Sequence, residues 1–155
     1  MPNWTPLPSV GFNEAVAGNV LAPLQAVVSG EITANVGGDT LGAARGAGKV
    51  KDVWIAVMAS GKDDSNTLSL TGNVKINGTT CLTTQPILAH VSGEASQQKS
   101  TNNSNDTGIT AAVVDYSNNT FTAGDVFTYD LTLTRTASPT TEMQAAVLVV
   151  ELELA

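Results

Sequence analysis

The sequence predicts an all-β protein: an antiparallel β-sandwich or jelly-roll-like domain over residues 48–155, preceded by an extended N-terminal arm over residues 1–47. Three observations carry this. After position 48 apolar residues recur with period two in several short runs, clusters of Gly, Asn, Asp and Ser separate those runs, and no amphipathic helical stretch of ten residues interrupts them. About seven or eight short strands with turn signals between them is the pattern of a sandwich.

The arm is set apart by its punctuation. It holds four of the six prolines (Pro2, Pro6, Pro8 and Pro23) and ends in glycine-rich sequence from Gly37-Gly38 to Gly48, so neither a long helix nor a regular strand is expected through most of it. Its scattered apolar residues, Trp4, Leu7, Val10, Phe12, Val16, Val20, Leu21 and Leu24, are too many for a free linker. The arm is therefore expected to lie against a surface, which another chain can supply. Within it, Gln25 to Ile32 reads as a candidate first strand, and Asn13 to Leu21 fits a short helical turn equally well.

From Val50 the alternation sharpens. Val53, Ile55, Val57 and Ala59 share one face, and Asp52, Trp54, Ala56 and Met58 the other, with Trp54 expected at a neighbour or a sheet rim. After the turn cluster Ser60 to Asn66, Leu68, Leu70, Val74 and Ile76 keep even phase. Gly72 falls on that apolar phase, which points to a bulge or a close backbone approach. Asn77-Gly78 marks a type I′ hairpin turn, with Thr79 to Thr83 as the returning partner.

Residues 92–108 contain almost nothing that can enter a core and are expected to form a long exposed loop. Ile109 to Asp115 and Phe121 supply strand material around the turn Tyr116 to Asn119. Ala123-Gly124-Asp125 opens the clearest alternation, Phe127, Tyr129, Leu131 and Leu133. A last loop, Ala137 to Thr141, leads to a strand from Met143 to Leu154. One face of it carries Ala146, Leu148, Val150, Leu152 and Leu154, and the other passes from Ala145, Val147 and Val149 to Glu151 and Glu153.

Composition narrows the function. The chain has 155 residues, enough for one domain to bury about two-thirds of its unfolded surface. Seven Lys plus Arg are spread singly against fourteen Asp plus Glu, giving a net charge of -7 and no basic stripe for phosphates, so nucleic acid is not an expected partner. The longest apolar run, Ala145 to Val150, is too short for a membrane span, and the Met-Pro-Asn-Trp opening has no secretory pattern. A soluble protein made in a host cytoplasm is expected.

No cofactor, metal or catalytic set is expected either. The single cysteine, Cys81, reads as a small buried packing residue, and the single histidine, His90, as a strand-end residue with local hydrogen bonds. Asp63-Asp64 and Asn102 to Asp106 carry oxygen ligands but lack the alternating spacing and terminal Glu of a calcium loop, and turn chemistry accounts for both.

Three stretches resemble a known family. Val53 to Thr79, with its Val74-Lys-Ile-Asn-Gly78 hairpin, and Phe121 to Arg135, with its Ala-Gly-Asp turn, are similar to strands of small head-surface (decoration or cement) proteins of tailed bacteriophages, and Met143 to Leu154 resembles their closing strand. The resemblance spans roughly residues 48–155. It implies a virion structural protein on the outer surface of the capsid, binding the major capsid protein and forming a homotrimer. On that reading Trp4, Leu7, Val10 and Phe12 are the capsid contacts, and Trp54, Ala145, Val147 and Val149 the oligomer interface. The alternative is a fibre or collar module that binds host-surface glycan or another virion protein, with residues 92–108 as its reader.

Overall fold

The computed structural model describes residues 15–16, 20–63, 67–136 and 138–154. Among them the secondary structure is strand without helix. In chain order the strands are β1 (Ala15–Val16), β2 (Val20–Ile32), β3 (Val36–Ala43), β4 (Gly48–Ala59), β5 (Ser69–Ile76), β6 (Thr79–Thr80), β7 (Leu82–Thr84), β8 (Ile87–Ala89), β9 (Lys99–Ser100), β10 (Ile109–Thr110), β11 (Val113–Val114), β12 (Thr120–Phe121), β13 (Val126–Thr134) and β14 (Met143–Leu154).

They form two antiparallel sheets that face each other. The first has the order β1-β2-β14-β4-β12, with β9 also on β4; the second has the order β10-β8-β5-β13-β3, with β6 also on β5. A small β11-β7 pair lies beside them. The inward phase of β4 (Val53, Ile55, Val57) and β14 (Ala146, Leu148, Val150, Leu152) meets that of β5 (Leu70, Val74, Ile76) and β13 (Phe127, Tyr129, Leu131) in one core. Gly72 is the narrow point between the sheets: a Cβ there would lie 3.0 Å from Ile55 Cγ2 and 3.2 Å from Leu148 Cδ1. Its pairing with Leu131 is in regular register, so the close approach, not a bulge, is its reason.

The turns form as their residues require. Asn77 and Gly78 have φ of 50° and 85°, the left-handed pair that a two-residue I′ turn needs, and Ile76 pairs with Thr79 across it. That hairpin is clasped to the turn before β13. Asn77 Nδ2 donates to Asp125 Oδ1 at 2.7 Å, and Val126 N donates to Asn77 Oδ1 at 2.9 Å. Asp125 also accepts from Thr122 N at 2.7 Å, and these bonds, led by the one from Thr122, hold its carboxyl below the ordinary range. The Asn77-Gly78 hairpin and the Ala123-Gly124-Asp125 turn thus touch.

The boundary at residue 47 needs correction. β2 pairs with β14 along most of its length, and β3 pairs with β13 as an edge of the second sheet, so residues 20–43 belong to the sandwich. Their irregular look has a physical cause. Pro23 falls where the β2–β14 register shifts, between Leu21 and Leu24, and Gly30, with φ of 76°, falls at the second shift, between Val28 and Glu31. A bulge absorbs the missing N–H of a proline and the left-handed residue, and it also breaks the period-two pattern. β3 is equally hidden: its register shifts twice against β13, and its side chains are mostly exposed. Of the proposed arm, residues 1–14 and 17–19 lie outside the described residues.

Residues 92–108 are mostly exposed, as expected of a loop, but two points tie them down. Lys99 and Thr101 are buried, β9 pairs with Ala56 and Val57 of β4, and Thr101 exchanges bonds with Ile55 (N to O at 2.9 Å, and Ile55 N to Oγ1 at 3.1 Å). The segment is a strap fastened across the edge of the first sheet. A sequence reading that counts only apolar anchors misses a strap held by a lysine and a threonine.

Candidate binding face

The outward face of the first sheet has β14 at its centre, β2 on one side and β4 on the other. Antiparallel register sets its side chains in rows: Val147 stands between Val27 and Ala56, and Val149 between Gln25 and Trp54. Farther along β14, Glu151 and Glu153 reach Lys51 at 3.9 Å and Lys49 at 3.6 Å. These are exposed pairs of small energetic weight, and they make that end of the face polar. The other end is apolar. Val27 is 71% and Met58 62% exposed, values unusual for large hydrophobic side chains within strands.

A bulge shapes this end. The β14–β2 register shifts between Gln144 and Ala146, and Ala145 takes a φ of 46° there. The strap rises beside it, so the face is concave: an open hollow of about 620 Å³ has Val27, Ala56, Met58 and Val147 in its floor and Asn103 and Asp106 in its wall. A second, smaller hollow of about 300 Å³ lies at the Trp54 end, with Leu21, Pro23 and Val149 around it. The Trp54 indole N–H is buried and has no hydrogen-bond partner.

The strap is fixed by one buried cation. The Lys99 side chain is fully buried, and its Nζ lies 2.5 Å from Glu94 Oε2, 2.8 Å from Thr107 O and 3.1 Å from Ala89 O, so all three ammonium protons have acceptors. Thr107 Oγ1 donates to the other carboxylate oxygen of Glu94, and Val91 N donates to Oε2 at 3.3 Å. Partial burial pushes the Glu94 carboxyl up, but the hydrogen bonds from Lys99 and Thr107 and the Lys99 charge outweigh it and hold the group below its ordinary value. The wall of the hollow is therefore anchored at its base, and its exposed tip, Asn102 to Asn105, is entirely polar.

The four residues expected at an oligomer interface all reach this face but separate into two places. Ala145 and Val147 line the larger hollow, while Trp54 and Val149 line the smaller. Val149 is only 3% exposed, being covered within its own chain, so it offers little to a partner and that part of the expectation is corrected. The expected capsid contacts Trp4, Leu7, Val10 and Phe12 lie outside the described residues. Val27 was missed because its segment reads as arm; Met58 was placed on the correct outward phase without being recognised as part of a site.

Elsewhere the reactive side chains are occupied structurally. Cys81 is fully buried, hydrogen-bonded to Val74 O at 3.4 Å, and burial pushes its thiol up to about 12. His90 is 4% exposed, its backbone N–H donates to Leu68 O at 2.9 Å, and its Nδ1 has no partner. Asp63 accepts from Thr67 Oγ1 at 2.7 Å, and Asp115 caps the 116–119 turn through Ser117 N and Asn118 Nδ2. Among the described residues no group of three His, Cys, Asp or Glu is placed to hold a metal ion. No family model matches the chain, and neither a curated protein nor a solved structure is significantly similar to it.

Proposed function

We propose that this protein is a virion structural protein that binds the outside of a tailed-phage head and stabilises it, with the major capsid protein and further copies of itself, as a homotrimer, for partners. The observation that carries the reading is the outward face of the first sheet, a concave surface on which Val27 and Met58 are exposed beside a half-buried Val147. A lone soluble domain gains nothing from wetting such a row, whereas an assembly protein uses it. The clasp between the Asn77-Gly78 hairpin and the Ala123-Gly124-Asp125 turn supports the reading in a second way, because it joins two of the phage-like stretches in one structural unit.

The role of each part follows from its chemistry. Residues 1–14, with Trp4, Leu7, Val10 and Phe12, are the shell-gripping element, and the Trp54 hollow is the site of self-association. The experiment is to add the purified protein to heads that lack it and measure co-sedimentation, together with the temperature at which the heads release DNA. Binding with a raised release temperature is expected. A head that neither takes up the protein nor gains heat resistance refutes the proposal.

One observation favours a second reading. The Lys99 anchor turns Asn102 to Asn105 into a fixed polar display, which suits a fibre or collar module reading a host-surface glycan. A glycan array without hits eliminates that reading.

A further inference from the structure

We infer that the outward face of the second sheet carries a binding site for a neutral carbohydrate, in the recess that Gly37 and Gly38 leave beside Asn73, Gln85 and Asp130.

The recess exists because of those two glycines. Among the described residues β3 is the edge of this sheet, and Asp130 of β13 stands between Gly37 on one side and Asn73 of β5 on the other. A Cβ on Gly37 would lie 2.6 Å from Asp130 Oδ1, so glycine is what lets the edge strand close on that carboxylate. Gly38, with φ of 74°, donates its N–H to the same oxygen at 3.0 Å. With no side chain at either position, an open hollow of about 400 Å³ is left over the edge, within the roughly 300–1,000 Å³ of small-ligand sites.

The polar groups around it are held by bonds that leave hydrogen-bonding atoms unused. Asn73 Oδ1 accepts from Thr80 Oγ1 at 2.6 Å and Asn35 Oδ1 accepts from Leu133 N at 2.8 Å, so both amides are oriented while their Nδ2 protons have no partner among the described residues. Gln85 and Thr132 line the same recess, are exposed, and add an amide and a hydroxyl in the same condition. Oriented donors beside acceptors suit sugar hydroxyls, which both donate and accept, and groups already ordered lose less entropy on binding. Half-buried Val36 supplies an apolar surface for the C–H face of a sugar ring.

Charge selects a neutral ligand. Asp130 is the one charged residue lining the recess, and Lys75 Nζ lies 2.6 Å from its Oδ2, so no unpaired cation waits there for an acidic sugar, which the net charge of -7 also repels. The site stands apart from the virion role. It is also distinct from the polar tip of the strap, which is fastened to the first sheet.

The test uses the full chain. On an array of neutral and acidic oligosaccharides it should retain neutral ones. Titrating the strongest of these into ¹⁵N-labelled protein should shift the amide peaks of Gly37, Gly38, Asn73 and Thr132, a readout that needs no substitution. Asn73→Ala with Gln85→Ala removes two amide groups from the recess and should weaken binding roughly tenfold or more. Asn102→Ala with Asn105→Ala, at the strap tip, should leave binding unchanged. An array on which no neutral glycan is retained overturns the inference. Peak shifts confined to residues 98–107 overturn it too, as does binding that the strap variant removes and the recess variant keeps. Failure of head binding bears on the proposed function alone.

Discussion

Replacing Lys99 with Met should unfasten the strap while leaving the two sheets paired. The substitution keeps most of the side-chain volume and removes an ammonium whose three acceptors, Glu94 Oε2, Thr107 O and Ala89 O, lie within 3.1 Å. Breaking a buried ion pair from one side costs roughly 3–5 kcal/mol, because the partner is left desolvated and unpaired. Glu94 is 17% exposed and can rehydrate in part, which places the expected loss near the low end, about 3 kcal/mol. Against a total stability of roughly 5–15 kcal/mol this is a large fraction. With a urea slope of about 1–3 kcal/mol per molar, the unfolding midpoint should fall by roughly 1–3 M. Hydrogen exchange should show residues 94–107 losing protection while β5 and β13 keep theirs. Converting the pair together, Lys99→Met with Glu94→Leu, should recover part of the loss, since no unpaired charge remains. If Lys99→Met stays within about 0.5 kcal/mol of the parent with an unchanged exchange pattern, the strap is not held by this cation.

Acid should weaken the fold in a defined window. The carboxyls of Glu94, Asp125 and Asp130 are all lowered in the folded state, Asp130 chiefly by its hydrogen bond with Lys75, so their contribution is fully present above the ordinary values of 4.5 for Glu and 3.8 for Asp and is lost as pH falls below them. Thermal melting between pH 7 and pH 2 checks this, and a midpoint that does not fall across the acid limb contradicts it. Cys81 should resist a thiol reagent in the native protein and react only as fast as the protein unfolds, as its burial and raised thiol value require. Light scattering should give a mass near three times the chain mass of 15.9 kDa; a value at the chain mass removes the trimer.

How much was legible depended on whether a residue's neighbours lie close in sequence or across the sheet. β4, β5, β13 and β14 were readable because each keeps regular alternation against a core, and Asn77-Gly78 because its turn needs only local chemistry. β2 and β3 were unreadable because bulges at Pro23, Gly30 and within β3 shift the phase of the alternation. The strap was missed for a different reason: the partners of Lys99 are two backbone carbonyls and a glutamate, and a sequence shows no pattern for such a set. Half of the site was visible as the outward phase of β14. The other half, Val27, depended on knowing that β2 lies beside that strand.

The correction at residues 20–43 alters how the anchoring role must be tested. A truncation through residue 35 removes β2 and so destroys the first sheet, whereas removal of residues 1–14 leaves every described strand of both sheets intact. The decisive measurement is electron microscopy of heads lacking the protein, imaged alone, with the full chain, and with a chain lacking residues 1–14 that melts as a folded protein. The account predicts regular added density on the outer shell with the full chain and bare heads with the truncated one. Bare heads at saturating full-length protein contradict the virion role, and equal decoration by both chains assigns the grip to a face of the sandwich.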